Sequence, residues 1–306
     1  MIENRNSGRN GRMKKSALLD ASLIAQLDHL ELVVRRLFAG RTQGEKRSKR
    51  RGTGSEFADY RDYAQGDDLR HIDWNVYGRL DRLFLKLFHV EEDLRLSIFV
   101  DTSLSMAYGD PPKLGYAKKL AAAMAYIALA NLDRVTIEGA SASSLDRLPP
   151  TRGKAQVWRL LEFIDELEAS GATDLHDGLR EFSLRNSTPG MKVVISDFLD
   201  KKGFQGALKW LLKGGSEIVL LHVLSPQEVK PPIVGDLSLE DCEDGQVTEV
   251  SITAGLLKRY EQNLKALVGG LREYARTRGL AYFFIPTSTP VEQVILNSMR
   301  RTGVVK

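Results

Sequence analysis

The sequence is short of cysteine and of long apolar stretches. Its one cysteine, Cys242, excludes an intramolecular disulfide and a cysteine-based zinc site, which favours a reducing compartment. The most prominent uncharged run, Leu120 to Leu132, has thirteen residues, whereas a helix that spans a bilayer needs about 20. The N-terminus is basic and polar and lacks the hydrophobic stretch of a signal peptide. We therefore expect a cytoplasmic chain with no integral membrane segment.

The net charge of +4 over 306 residues is unevenly divided. Residues 1–52 carry thirteen Lys and Arg against five Asp and Glu, while the rest of the chain carries thirty-one against thirty-five. Because the main body is slightly acidic, the charge distribution argues against a chain that binds nucleic acid over its whole surface. The loop at 41–51 is either solvated or a contact for an acidic partner or nucleic acid. Its cations are Arg41, Lys46, Arg47, Lys49, Arg50 and Arg51.

Three patterns precede the regular part of the sequence. Apolar residues at steps of four and three predict a helix over 19–39. Residues 56–82 mix aromatic and charged side chains without a clear period, and predict a segment that wraps a surface with its charges paired to each other. The alternation over 83–88 predicts a strand. A short turn at 91–93 predicts that this strand pairs antiparallel with the next one, at 94–100.

From residue 96 onwards, strands alternate with helices. The expected strands are 96–100, 134–140, 192–196, 216–223 and 280–285, and the expected helices are 113–131, 155–168, 175–185, 203–213, 253–278 and 290–301. Such alternation predicts an α/β fold with a mainly parallel sheet covered by helices on both faces. An interruption at 226–252 predicts an exposed hairpin. We divide the chain into a basic extension with one helix at 1–55, a wrap and strand at 56–95, and an α/β domain at 96–306.

Oxygen-bearing side chains follow two of the expected strands. The strand LSIFV runs into D-T-S-L-S, which places Asp101, Ser103 and Ser105 at alternating positions, and the strand KVVIS ends at Asp197. The loop SGATDLHDGL places Thr173 just before a helix. Ligands of open parallel sheets sit beyond the carboxyl ends of the strands, and hard oxygen donors suit Mg²⁺ or Mn²⁺. These five residues are therefore the candidate metal ligands, with Asp200 as a second choice for Asp197.

The same residues argue against several enzyme classes. Position 103, two residues after Asp101, is a serine, so the D-x-D arrangement of aspartyl-phosphate chemistry is missing. The chain has no G-x-x-x-x-G-K-[ST] phosphate loop, and no Ser–His–Asp order can be defended. The histidines His71, His89, His176 and His222 show no metal spacing with each other. We expect no catalytic residue and no enzyme activity.

The motif D-T-S-L-S, with the later Thr173 and Asp197, resembles the metal-ion-dependent adhesion site (MIDAS) of von Willebrand factor A domains. The upstream stretch GTGSEFADYRDYAQGDDLRHIDWNVYGRLDRLFLKLFHVEE resembles a bacterial family, domain of unknown function fifty-eight, typically encoded near MoxR-type AAA+ ATPases. The resemblance covers roughly residues 19–225. It implies a three-layer α/β/α von Willebrand A-like fold with an N-terminal helical or irregular extension.

The resemblance also implies a function. Asp101, Ser103 and Ser105 would form the first metal-binding loop, Thr173 the second and Asp197 the third, and a Glu or Asp of another protein would take the open coordination position. The implied role is a Mg²⁺-dependent adaptor that binds a MoxR-type AAA+ ATPase, a client protein or both during protein maturation or complex assembly. Two alternatives stay open: a Mg²⁺-dependent hydrolase, and nucleic-acid binding through the loop at 41–51.

Overall fold

The computed structural model describes residues 18–34, 57–65, 67–88, 94–142, 145–172, 174–243 and 245–306. Within these ranges, residues 18–34 and 94–306 belong to one compact unit and residues 57–88 to a second. The basic loop predicted at 41–51 and the turn predicted at 91–93 lie outside the described residues.

The strands of the described ranges are β1 (Phe57–Asp62), β2 (Phe84–Phe88), β3 (Arg95–Asp101), β4 (Arg134–Ala140), β5 (Leu145–Arg152), β6 (Met191–Ser196), β7 (Glu217–Leu224), β8 (Gly235–Glu240), β9 (Val247–Ile252) and β10 (Ala281–Pro286). The helices are α1 (Ala21–Leu27), α2 (Trp74–Leu80), α3 (Lys113–Ala130), α4 (Val157–Glu166), α5 (Leu175–Arg185), α6 (Phe204–Leu211), α7 (Pro226–Val229), α8 (Ala254–Arg278), α9 (Val291–Gln293) and α10 (Arg300–Thr302). A π-helical stretch, Val294–Met299, joins α9 to α10, so these three segments form one last helix.

The larger unit is built on a six-stranded sheet in the order β10-β7-β6-β3-β4-β5. All neighbouring strands are parallel except β5, which is antiparallel to β4. The sequences MKVVIS of β6 and EIVLLHVL of β7 are buried at every position, as expected for strands covered on both faces. The predicted α/β fold with a mainly parallel sheet is confirmed.

Helices cover both faces of this sheet. One core lies on the side of α3, α4 and the last helix, and the other lies on the side of α5, α6 and α8. Helix α3 is the centre of the first core, because almost all of its alanine-rich length is buried. The run from Leu120 to Leu132 is thus a core helix that ends at Ala130. Three layers result, in agreement with the von Willebrand A-like architecture predicted above.

Strand β5 was not predicted. Its sequence LDRLPPTR contains two prolines, which cannot donate to a sheet ladder and which argue against a central strand. The structure places this segment at the edge of the sheet, where only one side of the strand is paired and prolines are tolerated.

The predicted helix over 19–39 is wrong in its length. Helix α1 is capped by Asp20 and ends at Leu27, after two turns. The chain then runs extended, and Val33 N donates to Val304 O at 2.9 Å while Lys306 N donates to Glu31 O at 2.9 Å. Backbone pairing with the C-terminal residues therefore replaces the helix that the apolar spacing predicts.

The predicted antiparallel pairing of the strands at 83–88 and 94–100 is also wrong. In the smaller unit, β2 pairs antiparallel with β1, with Tyr60 opposite Lys86. Strand β3 instead lies between β6 and β4 at the centre of the parallel sheet. Arg61 on β1 binds Asp67 at 2.7 Å, and the guanidinium of Arg70 binds Asp68 at 2.8 Å. The predicted local pairing of charges is therefore confirmed at these residues.

The segment between β7 and α8 contains a hairpin. Strands β8 and β9 pair antiparallel from Gly235 opposite Ile252 to Glu240 opposite Val247, in the region where the sequence predicts an exposed hairpin. Before this hairpin, α7 begins with a capping box in which Ser225 and Glu228 bind each other's backbone amides. That short helix places Glu228 close to the end of β7.

Candidate metal centre

The candidate site lies where β3 and β6 end, side by side in the sheet. The final residue of β3 is Asp101, and Asp197 directly follows the final residue of β6. Because β3 and β6 are parallel neighbours, their carboxyl ends lie at the same edge of the sheet. Both aspartates are buried.

The loop after β3 is shaped by Asp101. Its Oδ1 accepts a hydrogen bond from Ser103 N at 3.0 Å, and its Oδ2 accepts one from Ser196 Oγ at 2.7 Å. The first bond turns the chain so that Ser103 and Ser105 lie on the same side as the carboxylate. The second joins the loop to the end of β6. Asp101 is therefore held from both strands before any ligand is considered.

A chain of hydroxyl contacts connects the two strand ends. Ser103 Oγ lies 3.0 Å from Ser105 Oγ, and Ser105 Oγ donates to Asp197 Oδ2 at 2.9 Å. The other oxygen of Asp197, Oδ1, accepts from Leu199 N at 3.1 Å. Ser103 is fully buried and Ser105 is half-buried, so Ser105 is the member of the chain nearest to solvent. Four predicted ligands, Asp101, Ser103, Ser105 and Asp197, thus lie together.

The fifth predicted ligand, Thr173, lies outside the described residues. The residues just before it are bonded to the first loop, since Gly171 O accepts from Leu104 N at 2.9 Å and Ser170 N donates to Thr102 O at 2.7 Å. Asp200, the second choice for Asp197, has another role: its carboxylate accepts from Leu175 N at 3.0 Å at the start of α5. Asp197 is therefore the aspartate that belongs to the site.

Lys113 and Glu228 were missed by the sequence reasoning. The ammonium of Lys113 donates to Asp197 Oδ2 at 2.6 Å and also binds Glu228 Oε1. The Lys113 side chain is fully buried, and that of Glu228 is almost so. One signal was available, because Lys113 is the first residue of α3, where the helix dipole disfavours a cation. A lysine at that position implies a carboxylate partner, but the sequence does not identify it.

The site combines three carboxylates, those of Asp101, Asp197 and Glu228, with one ammonium, that of Lys113, which binds the last two. Burial and repulsion from Asp197 raise the pKa of Asp101 to about 6, although hydrogen bonds from Ser196 and Ser103 oppose the rise. Burial would lower the pKa of Lys113, but attraction from Asp197 and Glu228 outweighs it and the pKa is raised. With all four groups ionised, Asp101, Asp197, Glu228 and Lys113 carry a net charge of −2.

These residues fit a divalent cation of the Mg²⁺ type. The donor set is made only of carboxylate and hydroxyl oxygens, the ligands that Mg²⁺ and Mn²⁺ prefer. The net charge of −2 equals the charge that such an ion would neutralise. The described part of the chain contains no group of three or more His, Cys, Asp or Glu side chains arranged for a metal, and the donors that the candidate site offers there are two carboxylates and two hydroxyls.

In the described ranges, the structure contains no helix that combines the length and the apolar character needed to cross a membrane.

Comparison with solved structures finds low similarity. The conserved hypothetical protein BatB from Bacteroides thetaiotaomicron is 17% identical, with a TM-score of 0.44, over 68% of this chain and 98% of BatB. The pilus adhesin SpaC from Lactobacillus rhamnosus GG, in its open conformation, is 13% identical, with a TM-score of 0.42, over 71% of this chain and 30% of the adhesin.

Sequence comparison finds closer relatives. An "Uncharacterized protein Rv1480" of Mycobacterium tuberculosis and an "Uncharacterized protein Mb1516" of Mycobacterium bovis are each 29% identical to this chain over 254 residues, covering 80% of this chain and 78% of the relative. The family model "Protein of unknown function DUF58" matches residues 59–267, which include both strand ends of the candidate site. The chain therefore belongs to the DUF58 family, the one that the stretch upstream of Asp101 resembles.

Proposed function

We propose that this protein is a Mg²⁺-dependent protein-binding module that recognises an acidic residue of its partner. The ion, with Mn²⁺ as a substitute, would be held by Asp101, Ser103, Ser105 and Asp197, and by Thr173 on the strength of the family resemblance. One observation carries the proposal: the hydroxyls of Ser103 and Ser105 link two strand ends into one buried cluster of hard oxygen donors. When bound, the ion would supply an electrophilic point for a carboxylate from another protein.

The chain's own residues prepare this cluster for a ligand. Ser196 holds Asp101 and the amide of Leu199 holds Asp197, so neither carboxylate is free to turn away. Ser105 is half-buried and offers the route by which a partner side chain reaches the cluster. A site already oriented before binding loses less entropy when the ligand arrives.

The position of Lys113 lowers the affinity of the cluster for a metal ion. Its ammonium occupies one oxygen of Asp197 and also contacts Glu228, so the cluster already contains a positive charge. A divalent ion and this ammonium repel each other, and metal affinity is lowered for as long as Lys113 stays on Asp197. We therefore propose that Lys113 and the ion compete for Asp197, with Glu228 as the carboxylate that retains the ammonium.

The partner is proposed from the family resemblance. A MoxR-type AAA+ ATPase, or a client protein, would donate the acidic residue, and the complex would act in protein maturation or complex assembly in the cytoplasm. The decisive experiment is affinity capture from cell extract of the native host with Mg²⁺ and with chelator. We expect a partner retained only with Mg²⁺, retained by Asp146→Asn, an exposed carboxylate on β5, and lost with Asp101→Ala. Metal-independent capture, or capture by Asp101→Ala, would contradict the proposal.

The hydrolase alternative has one observation in its favour. The buried ammonium of Lys113 beside a metal-type cluster provides a second positive charge, and paired cations stabilise the charge that develops in phosphoryl transfer. A phosphatase screen with Mg²⁺ separates the two functions. Turnover by the wild-type protein that disappears in Asp101→Ala would favour the hydrolase. The nucleic-acid alternative rests on the loop at 41–51 and stays a prediction.

A further inference from the structure

A groove of about 500 Å³ lies at the edge of the sheet formed by β10. Its floor is β10 itself, one wall is the C-terminal half of α8, and the other wall is the last helix. The groove is lined, among others, by Arg272, Arg276, Tyr282, Phe284, Ser298 and Arg301. None of the candidate metal ligands lines this groove, so the groove is separate from the proposed metal site.

The floor of the groove presents unpaired backbone groups. Among the described residues, β10 pairs only with β7, so one of its two sides is open. Thr287 N donates to Leu224 O at 2.8 Å, so the backbone amide of Thr287 points towards β7. Because backbone groups alternate in direction along a strand, the amides of Phe283 and Ile285 also face β7. The N–H and C=O groups of Tyr282 and Phe284 therefore point away from the sheet. An extended peptide can pair with these groups as an additional strand.

The walls of the groove are positively charged. Arg272 and Arg276 lie on α8 and Arg301 lies on the last helix, and no acidic residue lines the groove. Arg276 is paired with Glu273 at 2.7 Å, whereas Arg272 and Arg301 have no carboxylate partner in the part of the chain that the structure describes. Two unpaired guanidinium groups on opposite walls suit the carboxylates of one bound segment, since Arg binds a carboxylate through a two-pronged contact.

The last helix is irregular where it meets the groove. Its π-helical stretch, Val294–Met299, includes Ser298, which lines the groove just before Arg301. A π-helical turn is wider than an α-helical one and occurs in proteins mostly at functional sites. The helix therefore departs from regular geometry at the wall that carries one of the two unpaired arginines.

We infer that this groove binds an extended acidic segment of a partner protein. The segment adds as a strand to the open side of β10, its backbone pairs with Tyr282 and Phe284, and its carboxylates contact Arg272 and Arg301. Charged side chains at a sheet edge also have a protective role, in which they keep the strand edges of other proteins from pairing with it. A purely protective role predicts that no peptide binds, so the two roles can be separated by experiment.

The test uses the full-length protein and a labelled, end-blocked peptide of eight residues in which Glu and Val alternate, at about 150 mM salt. We expect saturable binding in fluorescence anisotropy, slower hydrogen exchange of the Tyr282 and Phe284 amides, and no binding of the matching Lys–Val peptide. The double variant Arg272→Ala/Arg301→Ala should weaken binding at least tenfold, while Arg259→Ala, an exposed arginine near the start of α8, should leave it unchanged.

A second probe tests the strand pairing without altering the protein. The same Glu–Val peptide carrying N-methyl groups at alternate residues keeps its charge but cannot donate those backbone hydrogen bonds. We expect its affinity to fall at least tenfold. Equal binding of the methylated peptide, equal binding to the double arginine variant, or absence of binding by the Glu–Val peptide would each overturn the inference.

Discussion

Lys113 and Asp197 form a fully buried ion pair, with Lys113 Nζ 2.6 Å from Asp197 Oδ2. Removing two opposite charges from water costs free energy that their attraction returns only when the geometry is good and further hydrogen bonds are present. Here, Glu228 binds the same ammonium, and Ser105 donates to the same carboxylate oxygen. Lys113 therefore places a positive charge directly on Asp197, which is a candidate metal ligand.

Lys113→Met is expected to have opposite effects on stability and on metal affinity. In chelator, the variant leaves Asp197 and Glu228 without their counterion, and its free energy of unfolding should fall by about 3–5 kcal/mol. Its Mg²⁺ affinity should rise at least about tenfold, because the competing positive charge is gone. Urea unfolding with chelator and with Mg²⁺ measures the first effect, and calorimetry measures the second.

The matched control for this variant is Lys118→Met on the same helix. The ammonium of Lys118 binds only the backbone carbonyl of Asp165 among the described residues, at 2.8 Å, and lies away from the site. The Lys118→Met variant should therefore keep the wild-type Mg²⁺ affinity and the wild-type effect of Mg²⁺ on unfolding. If Lys113→Met bound Mg²⁺ no better than the wild-type protein, competition between the ammonium and the ion would be refuted.

Asp101→Asn is expected to stabilise the metal-free protein. Burial and repulsion from Asp197 disfavour the ionised form of Asp101, as its raised pKa of about 6 indicates. Because the folded pKa lies above the usual value near 3.8, ionised Asp101 costs stability increasingly as the pH rises from about 4 to above 6. At pH 7 in chelator, the variant should unfold at higher urea than the wild-type protein. An equal or lower midpoint would contradict this prediction.

Glu138→Ala is expected to destabilise the fold without affecting the candidate site. The buried carboxylate of Glu138 accepts from Arg185 Nη2 at 2.8 Å, from Asn186 Nδ2 at 2.8 Å and from Arg147 Nε at 3.1 Å. It therefore ties β4 to β5 and to the end of α5. Truncation leaves these donors without their acceptor, at a cost of about 3 kcal/mol. Thermal unfolding should report the loss while Mg²⁺ affinity stays unchanged, and a parallel loss of affinity would mean that the site depends on this tie.

The smaller unit has its own pH dependence through Asp73. The hydroxyl of Tyr60 donates to Asp73 at 2.8 Å, and together with Lys86 it lowers the pKa of Asp73 to about 2. Since the folded pKa lies below the usual value near 3.8, the ionised carboxylate stabilises this unit above about pH 4, and that contribution is lost as the pH falls towards 2. An NMR titration of the Asp73 carboxyl should show the low midpoint. The Tyr60→Phe variant should raise this midpoint. An unchanged midpoint would show that the hydroxyl of Tyr60 does not lower the pKa of Asp73.

The parallel sheet could be predicted because its strands have a simple pattern. The runs in β6 and β7 are mostly apolar and are buried at every position, and this occurs where both faces of a sheet are covered. The short α1 and the β1–β2 pairing could not be predicted. Each depends on a partner distant in sequence: Leu32 bridges Val305, and Phe84 lies opposite Asp62. Local spacing contains no information on such partners.

In the candidate site, too, some residues could be predicted from local sequence and others could not. Asp101, Ser103 and Ser105 belong to one local motif, and Asp197 is recognisable because it follows a strand. Lys113 and Glu228 are separated from each other by 115 positions and meet only because α3 and α7 both begin at the end of the sheet where the motif lies. The candidate ligands can therefore be recognised in the sequence, whereas the pairing of Lys113 with Asp197 and Glu228 cannot.

Calorimetric titration of Mg²⁺ into chelator-stripped protein tests the proposed metal site most directly. We predict one site per chain in the wild-type protein and in Asp146→Asn, and no measurable heat of binding in Asp101→Ala or Ser103→Ala, with circular dichroism showing that all four proteins are folded. Equal Mg²⁺ affinity in the wild-type protein and Asp101→Ala, or no binding by the wild-type protein, would contradict it.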